Sequence, residues 1–299
     1  MDTREAWSTF ADKLRASQRV LCLVGAGLSA PSGLDTWRGS NGLWNDINLR
    51  DLASPNKFFE DPVTVWTFYG ERLVKTLAAQ PNLAHHALAA LATGHEGWLT
   101  INQNVDGLLE QTEHPMTRLL GIHGTLRTIR CTSCNYNTRI ESPSDVPFLL
   151  LLSTQLRSVT LSDLPRCPVC TKLLRPGVVW FGEMLAAGAP DTIDDWISQD
   201  DVDLVIAVGT SLEVYPATEW VEAVRESGAS LAIINTEKTD RLVDELNDDD
   251  WFFEGDAADI LPRILDLVTY RHHAKSSPAA LSSSVSGACS LKRTLLPSS

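Results

Sequence analysis

No stretch of the sequence approaches the roughly 20 consecutive apolar residues that a membrane-crossing helix requires, so no membrane partner is expected. The opening Met1-Asp2-Thr3-Arg4-Glu5 carries acids early and has no apolar signal core, so neither a secretory signal nor a transit peptide is expected. Basic residues are scarce. Lys and Arg number 25 against 38 Asp and Glu, a formal net charge of −13. Four of those basic residues (Arg271, Lys275, Lys292 and Arg293) lie beyond residue 270 in a stretch without acids, so the body is more acidic still. That balance argues against binding a nucleic-acid backbone and favours approach of lysine-rich protein partners. Cysteine is also sparse, six in 299 residues, which without an export signal suggests a reducing compartment and metal or thiol roles. There is no internal repeat. What remains is a chain with 43% hydrophobic residues, enough for a real core and for one large α/β domain with an inserted module, or two modest domains.

The stretch that organises the rest is Val24-Gly25-Ala26-Gly27-Leu28-Ser29-Ala30-Pro31-Ser32-Gly33. It follows Arg19-Val20-Leu21-Cys22-Leu23-Val24, a short apolar run expected to be a buried strand with Cys22 as a small core side chain. Gly25 and Gly27 permit a sharp turn and close approach of a bulky anion, and N–H groups at a strand-to-helix turn make a candidate phosphate cradle. The third glycine, Gly33, arrives too late for a standard dinucleotide fingerprint. Four further apolar runs end in polar or glycine-bearing turns: 97–102 before Gln103-Asn104-Val105-Asp106, 118–122 before His123-Gly124, 202–208 before Gly209-Thr210-Ser211, and 230–234 before Asn235-Thr236-Glu237. In an open parallel sheet, ligands bind outside the carboxyl ends of the strands, so five such ends would converge on one crevice. Helices are expected over about 3–16, 62–77 (with Asp61-Pro62 as cap and first turn), 83–93 and 257–267. Gly70, in the middle of the second, costs about 1 kcal/mol of helix propensity and hints at a close neighbour. After residue 275, Ser, Ala and Pro dominate and a disordered tail is expected; nothing is assigned to Cys289.

Cys131-Thr132-Ser133-Cys134 and Cys167-Pro168-Val169-Cys170 are two Cys-x-x-Cys knuckles separated by residues 135–166. Together they make a tetrahedral Cys₄ zinc site without a vacancy, hence structural, pinning a small ribbon module with a thin core of its own. His123, at a strand end beside the crevice, carries the group whose titration near neutrality suits removal of a ribose hydroxyl proton.

In this order, Gly25-Ala26-Gly27-x-Ser29, Trp37-Arg38-Gly39, Gln103-Asn104-Val105-Asp106, His123-Gly124, the two cysteine pairs, Val179-Trp180-Phe181-Gly182-Glu183, Gly209-Thr210-Ser211 and Asn235-x-Glu237 resemble the sirtuins, which are NAD-dependent protein-lysine deacylases. The resemblance covers about residues 3–270. It implies a Rossmann-like parallel-sheet domain, of the NAD-binding type shared with deoxyhypusine synthase, and a smaller zinc-ribbon and helical domain. The sheet domain is expected over about 1–40, 95–128 and 174–270, the helical insert over about 41–94, the zinc ribbon over about 129–173, and the tail over 271–299. Gly25, Ala26, Gly27 and Ser29 would line the diphosphate. Trp37, Arg38 and Trp44 would belong to the cofactor side, with Arg38 on a loop closing over NAD. Gln103, Asn104, Val105 and Asp106 would hold the nicotinamide ribose and carboxamide. Gly209, Thr210, Ser211, Asn235, Thr236 and Glu237 would hold the adenosine half, with the backbone near Ala257 under the adenine. His123 and Asn104 would be catalytic, His123 as base on the ribose hydroxyls, and Val179, Phe181, Gly182 and Glu183 would pair with the substrate backbone as an added strand. The products would be nicotinamide, O-acyl-ADP-ribose and free lysine, with one structural zinc outside the chemistry.

Tyr69 and Arg72, three apart on one helical face, resemble the Tyr-x-x-Arg of the class III branch, which removes succinyl, malonyl and glutaryl groups. Asp51-Leu52-Ala53-Ser54-Pro55 resembles the same branch, whose small Ala (here Ala53) widens the acyl pocket. A guanidinium grips a carboxylate with two hydrogen bonds, so an acidic acyl group is favoured over acetyl. Trp37 stands where the family usually has Phe and Asp35 where it usually has Pro, which bears on the ranking of acyl chains. Mono-ADP-ribosyl transfer to protein, or NAD and ADP-ribose sensing without chemistry, are the competing readings of the same site. Acyl-lysine proteins are the expected partners, a monomer the expected state, and the cytoplasm the default location, with mitochondrion and nucleus open.

Overall fold

The computed structural model describes residues 3–36, 43–154 and 158–275. Trp37, Arg38 and residues 276–299, with Cys289, lie outside the described residues. The chain begins with α1 (Thr3–Ala16) and β1 (Val20–Val24), the latter buried at all five positions. The glycine turn then runs into two single 3-10 turns, Ala26–Leu28 and Ala30–Ser32, and not into the expected helix. Gly33 ends the second of them at φ +83°, a left-handed conformation that suits glycine. A small hairpin, β2 (Leu43–Trp44) and β3 (Ile47–Asn48), leads into the helices α2 (Leu49–Leu52), α3 (Pro55–Glu60), α4 (Pro62–Ala78) and α5 (Leu83–Thr93). Asp61 caps α4 as its sequence position suggests, its carboxylate accepting from the Thr64 N–H at 3.1 Å.

Next come β4 (Trp98–Asn102), β5 (Leu119–Gly121), β6 (Gly124–Cys131), β7 (Asn137–Arg139), α6 (Pro147–Thr154) and β8 (Leu174–Val178). The last third holds α7 (Ala189–Gln199), β9 (Leu204–Val208), α8 (Ala217–Glu226), β10 (Ser230–Asn235), α9 (Asp240–Asp244), β11 (Trp251–Glu254) and α10 (Ala257–Lys275). The final helix therefore passes Leu267 and takes in the first residues assigned to the tail.

Six strands form one parallel sheet in the order β11-β10-β9-β1-β4-β5. From central β1 the chain first builds outward through β4 and β5, then returns to build outward through β9, β10 and β11. The direction of winding reverses beside β1, which is where an open α/β sheet leaves a crevice. One face of the sheet packs on α1, α5 and α10 through residues such as Phe10, Leu88 and Leu261; the other packs on α7 and α8 through Ile193, Trp220 and Val221. Continuous apolar strands follow from this covering of both faces. A separate core gathers α2, α3, α4, α6 and the three-stranded antiparallel sheet β7-β6-β8 around Trp66, Phe148 and Trp180. Of the expected helical insert, α2 to α4 enter this smaller core, whereas α5 lies on the large sheet. The neighbour implied by Gly70 is α6: a Cβ there would run into Leu152 Cδ1 and stand 3.1 Å from Phe148 Cε1. Among the described residues no helix is long and apolar enough to cross a membrane.

Candidate active site

The reversal beside β1 opens into a cleft of about 860 Å³ between the two cores. Its floor is built by two strand-end loops that lock together. Gly25 N–H donates to Val208 O and Gly27 N–H to Gly209 O, both at 2.9 Å. A Cβ on Gly25 would meet Gly209 O at 2.6 Å, one on Gly27 would meet Gly209 Cα at 2.6 Å, and one on Gly209 would meet Gly27 Cα at 2.5 Å. The missing side chains thus let one loop lie on the other; close approach of an anion is a consequence of the resulting shape. The N–H groups of Ala26, Thr210 and Ser211, all at the cleft, have no internal acceptor among the described residues. Free backbone donors on a concave turn are what a diphosphate needs, so this cradle fits a dinucleotide.

The loop after β4 supplies the next wall. Gln103 N–H is tied to Val24 O at 2.9 Å, and its side-chain oxygen accepts from the Thr210 hydroxyl at 2.9 Å. Asn104 donates through Nδ2 to Gly25 O at 2.9 Å, leaving its amide oxygen uncommitted among the described residues. His123 Nδ1 lies 2.9 Å from Gln103 O. A carbonyl can only accept, so Nδ1 carries the proton and Nε2 of the neutral ring keeps its lone pair. Burial pushes the His123 pKa below the ordinary value, with the Gln103 carbonyl pulling the other way, so the neutral form prevails at neutral pH. Asp106 is buried, and burial raises its pKa against the Leu108 N–H, the Ser29 hydroxyl and the charge of Arg127.

Behind this wall stands a residue that sequence reasoning passed over. His85 is fully buried, accepts at Nδ1 from the Asn82 N–H (3.2 Å) and so donates from Nε2 to Ser29 Oγ (3.3 Å). Burial pushes its pKa down to about 4, so it is a fixed neutral donor that holds Ser29 in place. The signal available was the spacing Asn82-x-x-His85 at a helix start, here a capping box.

The opposite wall is α4, which turns Tyr69, Arg72, Lys75 and Thr76 to the cleft. Tyr69 is buried, and burial raises its pKa. Arg72 is half-buried, its guanidinium 3.7 Å from the centre of the Phe68 ring, and it has no ion pair among the described residues. Ala53, buried at the end of α2, accepts from Phe181 N–H at 2.9 Å. In 179–183 the N–H groups of Val179, Trp180, Phe181 and Glu183 are already bonded to His123 O, Glu183 Oε2, Ala53 O and Trp180 O. Among the described residues this leaves the Gly182 N–H and the carbonyls of Val179 and Gly182 for an added strand, fewer backbone groups than expected. Glu183 itself is held by Arg175 (3.0 Å) and Arg130 (3.3 Å); although burial works against it, these contacts keep its carboxyl below the usual range. Its side chain supports the wall and is not free for a ligand.

Nearly every residue singled out from the sequence lines this one cleft: Gly25 to Gly27, Ser29, Gln103 to Asp106, His123, Gly209 to Ser211, Asn235 to Glu237, Ala53, Tyr69, Arg72, Val179 and Phe181 to Glu183. Two do not. Trp44 packs edge-on against Phe68 at 5.5 Å and donates to Glu71 (3.2 Å), and Ala257 is buried at the start of α10 in the sheet core. Residues not anticipated include Lys75, Val214, Tyr215 and Met184 on the rim. Away from the cleft, the sulfur atoms of Cys131, Cys134, Cys167 and Cys170 all lie within 4.8 Å of one another, with Cys131 and Cys170 at 3.4 Å and Cys134 and Cys167 at 3.6 Å. Four sulfurs each about 2.3 Å from one ion would stand roughly 3.8 Å apart, so the tetrad fits a structural zinc.

Comparison with known proteins agrees with this geometry. The sequence model described as the Sir2 family matches residues 25–216. An NAD-dependent protein deacylase of Candida albicans is 41% identical over 289 residues, covering 85% of this chain and 94% of that protein. The solved complex of a Sir2 homolog with NAD has 34% identity and a TM-score of 0.72, over 89% of this chain and 93% of that one. A Sir2 protein bound to acetylated peptide has 26% identity and a TM-score of 0.69, over 89% and 98% of the two chains. With more than half its length matched by the family model, the chain belongs to the Sir2 family, the sirtuins.

Proposed function

We propose that this Sir2-family enzyme, an NAD-dependent protein deacylase, preferentially removes acidic acyl groups (succinyl, malonyl or glutaryl) from protein lysines and handles acetyl more weakly. The observation that carries the acidic preference is Arg72: a half-buried guanidinium in the cleft wall, packed over the Phe68 ring, without a carboxylate partner among the described residues. Taking a guanidinium partly out of water is costly unless an anion meets it. A carboxylate at the end of the acyl chain is that anion, gripped by the guanidinium fork, with the Tyr69 hydroxyl beside it.

When bound, NAD supplies a ribose carbon with nicotinamide as its leaving group, so that acyl transfer yields nicotinamide, O-acyl-ADP-ribose and free lysine. The remaining work falls to the chain. The N–H groups of Ala26, Thr210 and Ser211 hold the diphosphate, and Asn104 and Asp106 orient the neighbouring ribose. His123 takes a ribose hydroxyl proton on Nε2, the nitrogen its bond to Gln103 leaves unprotonated. Phe181, Trp180 and Val179 line the cleft beside His123.

The test is a panel of succinyl, glutaryl, malonyl and acetyl forms of one lysine peptide with NAD, the products identified by mass spectrometry. Arg72→Met should lower kcat/KM for succinyl by about 10- to 100-fold, the worth of a charge-assisted bidentate contact, and acetyl by much less. Equal losses on both would remove Arg72 from acyl recognition. Label from the adenylate of NAD on protein would replace deacylation by ADP-ribosyl transfer.

A further inference from the structure

One turn beyond Arg72 on the cleft face of α4 stands a second cation, Lys75, and it is not free. Its ammonium lies 2.7 Å from the carboxylate of Asp35, which reaches across from the loop after Gly33. Both side chains are about half exposed (52% and 51%), and both line the cleft that Tyr69 and Arg72 line. Asp35 is also the first among the charges acting on Arg72. The cleft face of α4 therefore presents two cations, Arg72 and Lys75, the second of them paired with the Asp35 carboxylate. An incoming acyl carboxylate meets Arg72 unpaired, but meets Lys75 already neutralised.

We propose that Asp35 is a specificity-determining residue: by pairing with Lys75 across the acyl side of the cleft, it cancels the second cation and limits how strongly acidic acyl chains are preferred over acetyl. An exposed ion pair contributes little to stability, so its main effect is on the local field. Two unit charges several ångströms apart in a half-exposed cleft interact by enough to change a rate ratio several-fold, and salt screens that effect over about 10 Å at 0.1 M. Removing the anion leaves Lys75 to attract a carboxylate that acetyl lacks.

This inference rests on the proposed acidic-acyl reading, and its experiment separates the two. The quantity read is the ratio of kcat/KM for succinyl to that for acetyl peptide, in full-length protein with saturating NAD, at low and at high salt. Asp35→Asn should raise the ratio about 3- to 10-fold at low salt, less at high salt. Lys75→Met, which leaves Asp35 unpaired beside the pocket, should lower it, and the double variant should return towards the wild-type ratio. Arg72→Met is run alongside. If Arg72→Met depresses the succinyl ratio while Asp35→Asn leaves it unchanged, Asp35 is not a specificity residue and the inference fails alone. If Arg72→Met affects both substrates equally, the acidic-acyl reading fails and takes the inference with it. A rise in the Asp35→Asn ratio that the added Lys75→Met does not reverse would also overturn it, because the effect would then not pass through Lys75.

Discussion

The crossing of the loops after β1 and β9 is the part of the site with least room for change, and Gly209→Ala tests it. Gly209 has φ +58°, and its Cβ would stand 2.5 Å from Gly27 Cα and 2.6 Å from Leu28 N. These are backbone atoms, so no rotamer can move aside. The loops would have to part by nearly 1 Å to reach the 3.4 Å of an ordinary contact, against the 2.9 Å bond from Gly27 N–H to Gly209 O. The left-handed conformation costs an alanine about 1–2 kcal/mol and overpacking about 1–3 kcal/mol, together roughly 2–5 kcal/mol. That is a large fraction of the roughly 5–15 kcal/mol that holds a domain together. Relaxation would spread the Ala26 and Thr210 donors, so KM for NAD should rise with the loss of stability. Urea unfolding and nicotinamide release at varied NAD measure the two. Gly188→Ala is the control, with φ +79° but nothing within 4 Å of its Cβ, and should cost only about 1–2 kcal/mol. If Gly209→Ala is as mild as Gly188→Ala and leaves KM for NAD unchanged, the interlock is not what the glycines serve.

Two further outcomes follow from the site. Since burial lowers the pKa of His123 and its neutral form is the base, kcat/KM should fall on acidification with a midpoint below the ordinary histidine value of about 6.5, and His123→Ala should lose about 10²–10⁴-fold; a midpoint above 6.5 would show that another group is the base. The cysteine tetrad should hold one zinc per chain, and chelation should lower Tm and activity together; a zinc-free protein with unchanged Tm and full activity would refute a structural role.

Much of this was legible in the sequence because the physics is local. A strand covered on both faces has no polar side, so five of the six parallel strands show as apolar runs, and the polar turns at their ends mark the cleft. The cysteine knuckles carry their ligand geometry in their spacing, and Asp61-Pro62 its capping chemistry. The sixth strand, Trp251–Glu254, was not legible: it is four residues long and follows the acids 248–250, and only pairing with β10 makes it a strand. The glycines show a different limit. Gly25 and Gly27 indicate close approach, but their partner is Gly209, some 180 residues away, and a sequence does not say which backbone comes near. Trp44 illustrates the same gap, since an aromatic near a cofactor motif looks alike whether it faces the ligand or packs on Phe68. His85 and Lys75 needed three dimensions, because their roles lie in contacts to Ser29 and Asp35 that sequence spacing does not announce.

Helix α4 explains how one protein joins a fixed dinucleotide site to a changeable acyl site. Buried Arg127 donates from Nε to Asp106 O (3.2 Å) and from a terminal nitrogen to Thr76 O (3.1 Å), so it ties the ribose loop to the far end of α4 through carbonyls. At the other end, Trp66 Nε1 donates to Leu174 O (2.8 Å) on β8, the strand that leads out of the zinc module. Between these ties, α6 lies directly on Gly70. Helix α4 is thus fixed at three points, two of which reach the module that carries the cysteine tetrad. None of those points uses the side chains of Tyr69, Arg72 or Lys75. A change at these three positions can therefore alter which acyl group is accepted without moving the carbonyls that hold the ribose loop. Loss of zinc, by contrast, acts on α4 as a whole, although the metal site lies outside the cleft.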